Sequence, residues 1–322
     1  MSDVRRKLTI GSIVVLAAIT GLVARGWMAG GNRPRRADRA ERPQYSLDSL
    51  PASLQARADE LGAVAMPCVR LEAVPAKEPL DAQASKFGGT PGLGSVDDWP
   101  KSRSGKPMTF VGQLNFAEIA GALAAKGQAP PADMPVKGIL LFFYDMDELA
   151  SGGESAHRDF WRFIWVSDPA PVEPLASLPR QEKPPKPCRI DPSAASSIPS
   201  ADDDVAGLPD MAGDEFDDYC DLADDLCGAG HQVLGYARAI RSDPRWDAVT
   251  ACDRIPMDDD DFDRRPAPAV RALSKWRLLW QIPSDEPAGL SWGDSGDIYI
   301  LIRDSDLKSR RFDNLWVVMQ CD

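Results

Sequence analysis

The chain has 322 residues, more than one typical domain of roughly 100 to 200 residues needs. Its 43% hydrophobic and 27% charged residues exclude a collagen-like, wholly disordered or polytopic membrane chain. The net charge of -12 is unevenly placed: residues 1–45 hold nine Lys or Arg against three acids, leaving 28 basic and 46 acidic residues, a net -18, for the rest. A domain that acidic repels the phosphate backbone and anionic headgroups alike, which argues against nucleic acid as a partner.

Residues 1–7 form a basic N-terminus, and residues 8–24 an uncharged run, Leu8 to Ala24, rich in Ile, Val, Leu and Ala. At about 1.5 Å per residue such a helix covers roughly 25 Å, slightly short of the ~30 Å hydrocarbon core. Trp27 at the interface and a snorkelling Arg25 make a signal-anchor geometrically reasonable. A cleaved signal peptide is the competing reading, although Leu22-Val23-Ala24 is only half of a cleavage motif and Arg25 follows at once. Arg5-Arg6 loosely resembles a twin-arginine signal. Six arginines after the run, from Arg25 to Arg42, against three basic residues before it lean toward a cytoplasmic-facing domain. The six cysteines, all beyond residue 24, leave export to the periplasm as the alternative. Residues 25–53, rich in Arg and Pro, read as a tether.

Residues 54–322 read as the folded domain, with a first half 54–167, a Pro-rich crossover 168–213 without structure, and a second half 214–322. Leu54 to Val64 is a predicted helix. Met108 to Leu114 alternates as a strand, with Met108, Phe110 and Leu114 opposite Thr109, Val111 and Gln113. Trp276 to Ile282 alternates likewise, with Gln281 on its minority face. A glycine-led strand follows each, from Gly138 to Leu149 and from Gly296 to Leu307, both ending in Asp-x-Asp-type runs at Asp145/Asp147 and Asp304/Asp306. Aromatic strands come next, Phe160 to Val166 and Leu315 to Met319. Matched elements in one order predict an internal duplication. Phe216 to Cys227 is a predicted helix with Phe216, Tyr219, Cys220, Ala223, Leu226 and Cys227 as its apolar stripe. The fold class expected is mainly β to α+β, antiparallel sheets with short helices.

Lys86-Phe-Gly-Gly-Thr-Pro91 with Asp98-Trp-Pro100, Gly112-Gln-Leu-Asn115, His231-Gln-Val-Leu-Gly-Tyr236 with Asp243-Pro244, and Trp292-Gly-Asp-Ser-Gly-Asp-Ile-Tyr299 together resemble the YwqG-like bacterial domain of unknown function over about residues 60 to 322. The resemblance implies a mainly antiparallel β architecture and carries over no activity and no catalytic residues. Ala237 and Arg241 stand where that pattern has Pro and Gln, and the acidic run from Met257 to Phe262 and the N-terminal segment look like additions.

Gly293-Asp-Ser-Gly296 has the form of a serine-protease nucleophile motif, yet only His157 and His231 offer a base. It reads better as a tight turn, with Gly296 supplying a positive φ. Cys220, Cys227 and His231 match no usual zinc spacing, and Asp258 to Asp263 lacks the Gly and Glu of an EF-hand. No metal, cofactor or catalytic residue is assigned. Trp99, Gln113, Gln281, Trp292 and Asp294 are the candidate binding residues, because Trp is enriched in recognition sites and the glutamines recur at matched positions. The expectation is a membrane-tethered, non-catalytic module for a protein or small ligand. The alternative is a hydrolase using carboxylates such as Asp294 and Asp304.

Overall fold

The computed structural model describes residues 46–321 apart from 202, 204–207, 209, 228, 229 and 256–265. The apolar run Leu8 to Ala24 and the acidic run after Ile255 lie outside the described residues; no helix among those described is long and apolar enough to cross a membrane.

Ten strands form one antiparallel sheet: β1 (Met66–Pro75), β2 (Lys86–Phe87), β3 (Thr109–Asn115), β4 (Ile139–Tyr144), β5 (Trp161–Val166), β6 (Cys188–Ser197), β7 (His231–Val233), β8 (Trp276–Pro283), β9 (Asp297–Arg303) and β10 (Trp316–Gln320). The sheet order is β10-β9-β8-β7-β1-β6-β2-β3-β4-β5, which runs outward from the central β1/β6 pair in the same way on both sides. The sheet curls until it nearly closes as a barrel. Trp280 on β8 lies 5.8 Å from the ring of Phe87 on β2 and 6.4 Å from Phe142 on β4, strands four and six places away in the order. The two edges are tied by the loop after β4: Met319 N–H donates to Ser151 O at 2.9 Å, and Trp316 Nε1–H to Gly152 O at 2.8 Å. Gly152 has φ +87°, and a Cβ there would run into Val317 O, so only glycine lets the chain lie this close to β10.

The register repeats as well as the order. Phe87 faces Gly112 and Lys86 faces Gln113; in the second half Val233 faces Trp280 and Gln232 faces Gln281. Each half carries one bulge, between Phe110 and Gly112 on β3 and between Leu278 and Trp280 on β8. In both, the carbonyl of the bulged residue accepts an amide from the turn that precedes it: Gly88 N–H to Val111 O at 3.0 Å and Leu234 N–H to Leu279 O at 3.1 Å. Lys86 faces Arg189 on β6 as Gln232 faces Arg70 on β1, which makes Arg70 and Arg189 equivalent and puts the directly paired Glu72 and Asp191 on the pseudo-two-fold axis.

The repeats are therefore β1–β5 and β6–β10, and each side of the sheet takes its innermost strand from the other repeat. This corrects the sequence reading of 168–213 as unstructured, because β6 occupies Cys188–Ser197 at the centre of the sheet. The bulges correct the strict alternation expected of both strands: Phe110 and Leu278 face outward, whereas Leu114 and Ile282 turn inward two residues past the bulge. The Asp-x-Asp runs are also one residue out of step, since the register aligns Asp145 with Arg303.

Six short helices flank the sheet: α1 (Ala58–Val64), α2 (Phe116–Ala125), α3 (Asp214–Cys227), α4 (Arg245–Asp253), α5 (Ala267–Leu273) and α6 (Asp304–Lys308) among the described residues. Asn115 starts α2 by accepting the Glu118 amide on its side chain at 3.2 Å, and Phe116, Ile119 and Leu123 are its buried stripe. On α3 the buried stripe is Tyr219, Leu222 and Ala223, packed on Leu54 and Leu61; Phe216, expected in it, is 39% exposed. The barrel interior is filled by rings and aliphatic groups, among them Phe87, Phe142, Tyr144, Trp280 and Trp292. A separate outer cluster in the first half joins Leu93, Trp99, Met108, Phe110 and Phe143.

Candidate functional site

The glutamines recurring at matched positions act as clamps. Gln113 Oε1 accepts the Gly92 amide at 2.9 Å, while its Nε2 donates to Ala82 O and Ala84 O, each at 2.8 Å. Gln281 Oε1 accepts the Arg238 amide at 3.0 Å, and its Nε2 donates to Asp297 Oδ2 at 2.7 Å and Arg238 O at 3.2 Å. Both are buried, and both pin the turn that follows the short second strand of their repeat. Those turns match in backbone too: Gly88 and Gly89 have φ +56° and +72°, Leu234 and Gly235 +61° and +75°. Lys86 holds the segment before β2 by donating from Nζ to Asp81 O at 2.6 Å and Ala82 O at 2.8 Å; burial pushes its pKa down to about 8, against the pull of Asp81 and Glu118.

Past the second clamp, the chain from Gly235 to Arg245 forms one wall of a cleft of about 50 Å³. Its floor is apolar, made by Trp276, Leu278 and Leu301 on the outer face of β8 and β9, and Met66, Tyr236 and Ala239 close its sides. Charge stands at the rim. Arg245 Nε donates to Asp243 Oδ2 at 2.8 Å and Nη2 to Asp203 Oδ2 at 2.6 Å, with all three side chains nearly enclosed. Burial opposes the guanidinium charge, and the two carboxylates override it, raising the Arg245 pKa. Arg277 pairs with Asp133 at 2.6 Å and Asp304 at 3.2 Å. Arg245 and Arg277 are thus engaged with counter-charges of the fold, and the apolar floor beneath them is itself nearly enclosed, with Leu301 fully buried and Trp276 and Leu278 at most 3% exposed.

The cleft brings together the Gly235-Tyr236 and Asp243-Pro244 motifs. The proposed binding residues lie elsewhere. Trp99 is 4% exposed with its indole N–H on Met108 O at 2.9 Å, Gln113 and Gln281 are the clamps, and Trp292 stands inside the barrel perpendicular to Tyr144 with ring centres 5.8 Å apart. Asp294 is exposed in the turn before β9. In that turn the positive φ belongs to Gly293 (+60°) and Ser295 (+55°), not to Gly296; Gly296 is required because a Cβ would strike Trp292 O and Gln320 O. Asp304 is held below the usual carboxylate range by Lys308 at 2.6 Å and by Arg277.

His231 is buried against Phe87, rings 4.2 Å apart, with Nε2 3.2 Å from Asp285 Oδ2. Cys220 lies on α3, outside the barrel, and no cluster of three or more His, Cys, Asp or Glu able to hold a metal occurs among the described residues. Cys68, Cys188, Cys252 and Cys321 are free thiols, and burial pushes Cys252 up to about 12. Sequence reasoning missed Arg245, Asp203 and Ala239; the Asp243-Pro244-Arg245 run was visible, but its partner Asp203 stands 40 residues away in the Pro-rich stretch.

The fold is a duplicated antiparallel sheet, nearly closed as a barrel, with short helices beside it and a cleft on one side of its second half. The chain belongs to the family described as a domain of unknown function (DUF1963), whose profile matches residues 85–321, consistent with a YwqG-like domain. No curated protein matches the chain.

Proposed function

We propose that this protein is a membrane-tethered, non-catalytic binding module whose cleft between Tyr236, Arg245 and the outer face of β8–β9 receives part of a protein or small ligand. The observation that carries the reading is the cleft's make-up: an apolar floor of Trp276, Leu278 and Leu301 beneath charges already paired with one another. Binding pockets combine such a mostly apolar lining with a few placed polar groups. The tether reading rests on the apolar run Leu8 to Ala24. The hydrolase alternative finds less support, since Asp304 is held low by Lys308 and Arg277 when a general acid needs the opposite shift. Asp247 does have a raised pKa, about 6, but it does not line the cleft.

A photo-crosslinking residue at Ala239 in the full chain, compared with one at the exposed Val136, tests this reading in cells. Adducts confined to position 239 support it; equal labelling at both positions, or none at 239, contradicts it. The tether is tested by washing membranes at high salt, which screens the Arg-rich arm. Retention of the full chain supports insertion, and release by salt alone excludes it.

A further inference from the structure

The loop that follows β4 is fastened to β10 by its carbonyls and to a histidine by its amides. Ser151 O accepts the Met319 amide at 2.9 Å and Gly152 O accepts the Trp316 indole N–H at 2.8 Å, so the loop supplies partners to the edge strand of the second half. The amides turn the other way. Gly152 N–H donates to His157 Nδ1 at 3.1 Å, and Glu154 N–H to the same nitrogen at 3.4 Å. Glu154 returns the bond, its carboxylate accepting the His157 amide in a reciprocal cap at the start of the turn 155–160. His157 is half-buried, its ring edge-on to Phe160 with centres 5.9 Å apart.

Two amides aimed at Nδ1 settle the protonation of the ring. A nitrogen that accepts carries no proton, so the closed loop requires the neutral ring with its hydrogen on Nε2. Imidazolium donates from both nitrogens, so a proton on Nδ1 removes both bonds and sets a positive charge against two N–H dipoles. The closed loop therefore binds one proton fewer than the open one, and closure weakens as pH falls.

The charged neighbours act in both directions. Arg158 follows His157 in the same turn and donates to Leu315 O at 3.2 Å and to Asp313 O, which ties the turn to the segment before β10 and places a guanidinium beside the ring. Asp159 is engaged by Arg103 at 2.9 Å and Arg162 at 3.7 Å. From α4, Asp247 faces the loop at Gly153, where an added Cβ would lie 3.3 Å from its Oδ1. Arg158 opposes a second positive charge, whereas the Glu154 carboxylate offers the released ring a partner.

We propose that His157 is a pH-sensitive latch on the barrel seam: neutral, it holds the loop after β4 shut over β10, and protonated, it lets that loop lift from Met319 and Trp316. Imidazole changes charge between about pH 5 and 8, and the latch turns within that range.

The test follows the isotope-labelled full chain by NMR across that range, reading the His157 Nδ1 shift, the Trp316 indole N–H signal and the protection of the Met319 amide from hydrogen exchange, corrected for the intrinsic effect of pH. Protection at Met319 is expected to fall roughly tenfold or more on acidification, as amides of the loop lose their acceptor. The Trp316 signal is expected to move with it, both sharing the midpoint of Nδ1 protonation, while the Gly92 amide, held by Gln113, keeps its protection. His157→Asn puts a carboxamide oxygen in place of Nδ1 and is expected to flatten the pH dependence; Asp247→Asn is expected to leave the loss in place. Protection that stays level at Met319 while Nδ1 takes up its proton overturns the latch and leaves His157 a capping residue. A loss that persists unchanged in His157→Asn, or that Asp247→Asn abolishes, overturns it as well. Should His157→Asn fail to fold, the wild-type midpoints decide: coincidence supports the latch and separation overturns it.

Discussion

Asp247 shows how one half-buried carboxylate marks the fold's stability with pH. Burial, and then the charge of Asp243, lift its pKa to about 6, above the roughly 3.9 of an unfolded chain. The native state therefore holds the proton more tightly between those values, so the contribution is fully present below pH 4 and is lost as pH rises through about 6. Asp247→Asn removes that loss: urea unfolding is expected to find the variant more stable than the wild type by about 1–3 kcal/mol at pH 7 and equal to it near pH 4. A constant difference across that range would contradict the assignment. Ser295 presents a backbone counterpart. Its φ of +55° costs a non-glycine residue on the order of 1 kcal/mol, so Ser295→Gly is expected to raise stability by up to about that amount in the same measurement. The sequence reading had the turn right and the strained residue wrong, because a positive φ leaves no mark when a serine adopts it between two glycines.

At the scale of elements, legibility followed locality. β3, β4, β8, β9 and β10 announce themselves by period and by the glycine before each second strand, whereas β6 hides in a Pro-rich run: its Cys188-Arg-Ile-Asp-Pro192 and the Ser/Ala tract behind it carry no alternation, and β1 and β2 hold it from both sides. α2 was missed for a similar reason, since its stripe of Phe116, Ile119 and Leu123 is diluted by alanines and its start depends on the Asn115 cap. The clamps were visible as a repeated residue but not as clamps, because their partners, Gly92 and Arg238, are backbone groups. Gln113→Ala strands the buried Gly92 amide and two carbonyls, and a loss of about 1–3 kcal/mol in chemical unfolding is expected, with the amide of Gly92 losing protection from hydrogen exchange first. The seam between β10 and the loop after β4 is as exacting. Gly152→Ala is expected to cost at least about 2 kcal/mol and to expose the Met319 amide, which now donates to Ser151 O.

At the scale of the whole molecule, the duplication was legible from element order, the recurring Gln and the Asp-x-Asp runs, but the exchange of innermost strands was not, because no local signal says that β1 pairs with β7 and β6 with β2. That exchange makes the repeats interdependent. Chains of residues 46–167 and 168–321 prepared apart are expected to stay without dispersed amide spectra, and to gain them on mixing, since each lacks the strand its half of the sheet is built on. The central claim is that the chain is built of two repeats, β1–β5 and β6–β10, each holding a turn with a buried glutamine clamp. Its most direct measurement is a crystal structure of residues 46–321. Superposition of β1–β5 on β6–β10 about an axis through the Glu72–Asp191 pair, with Gln113 falling on Gln281, is the predicted result; Gln113 and Gln281 on strands with non-equivalent neighbours would contradict it.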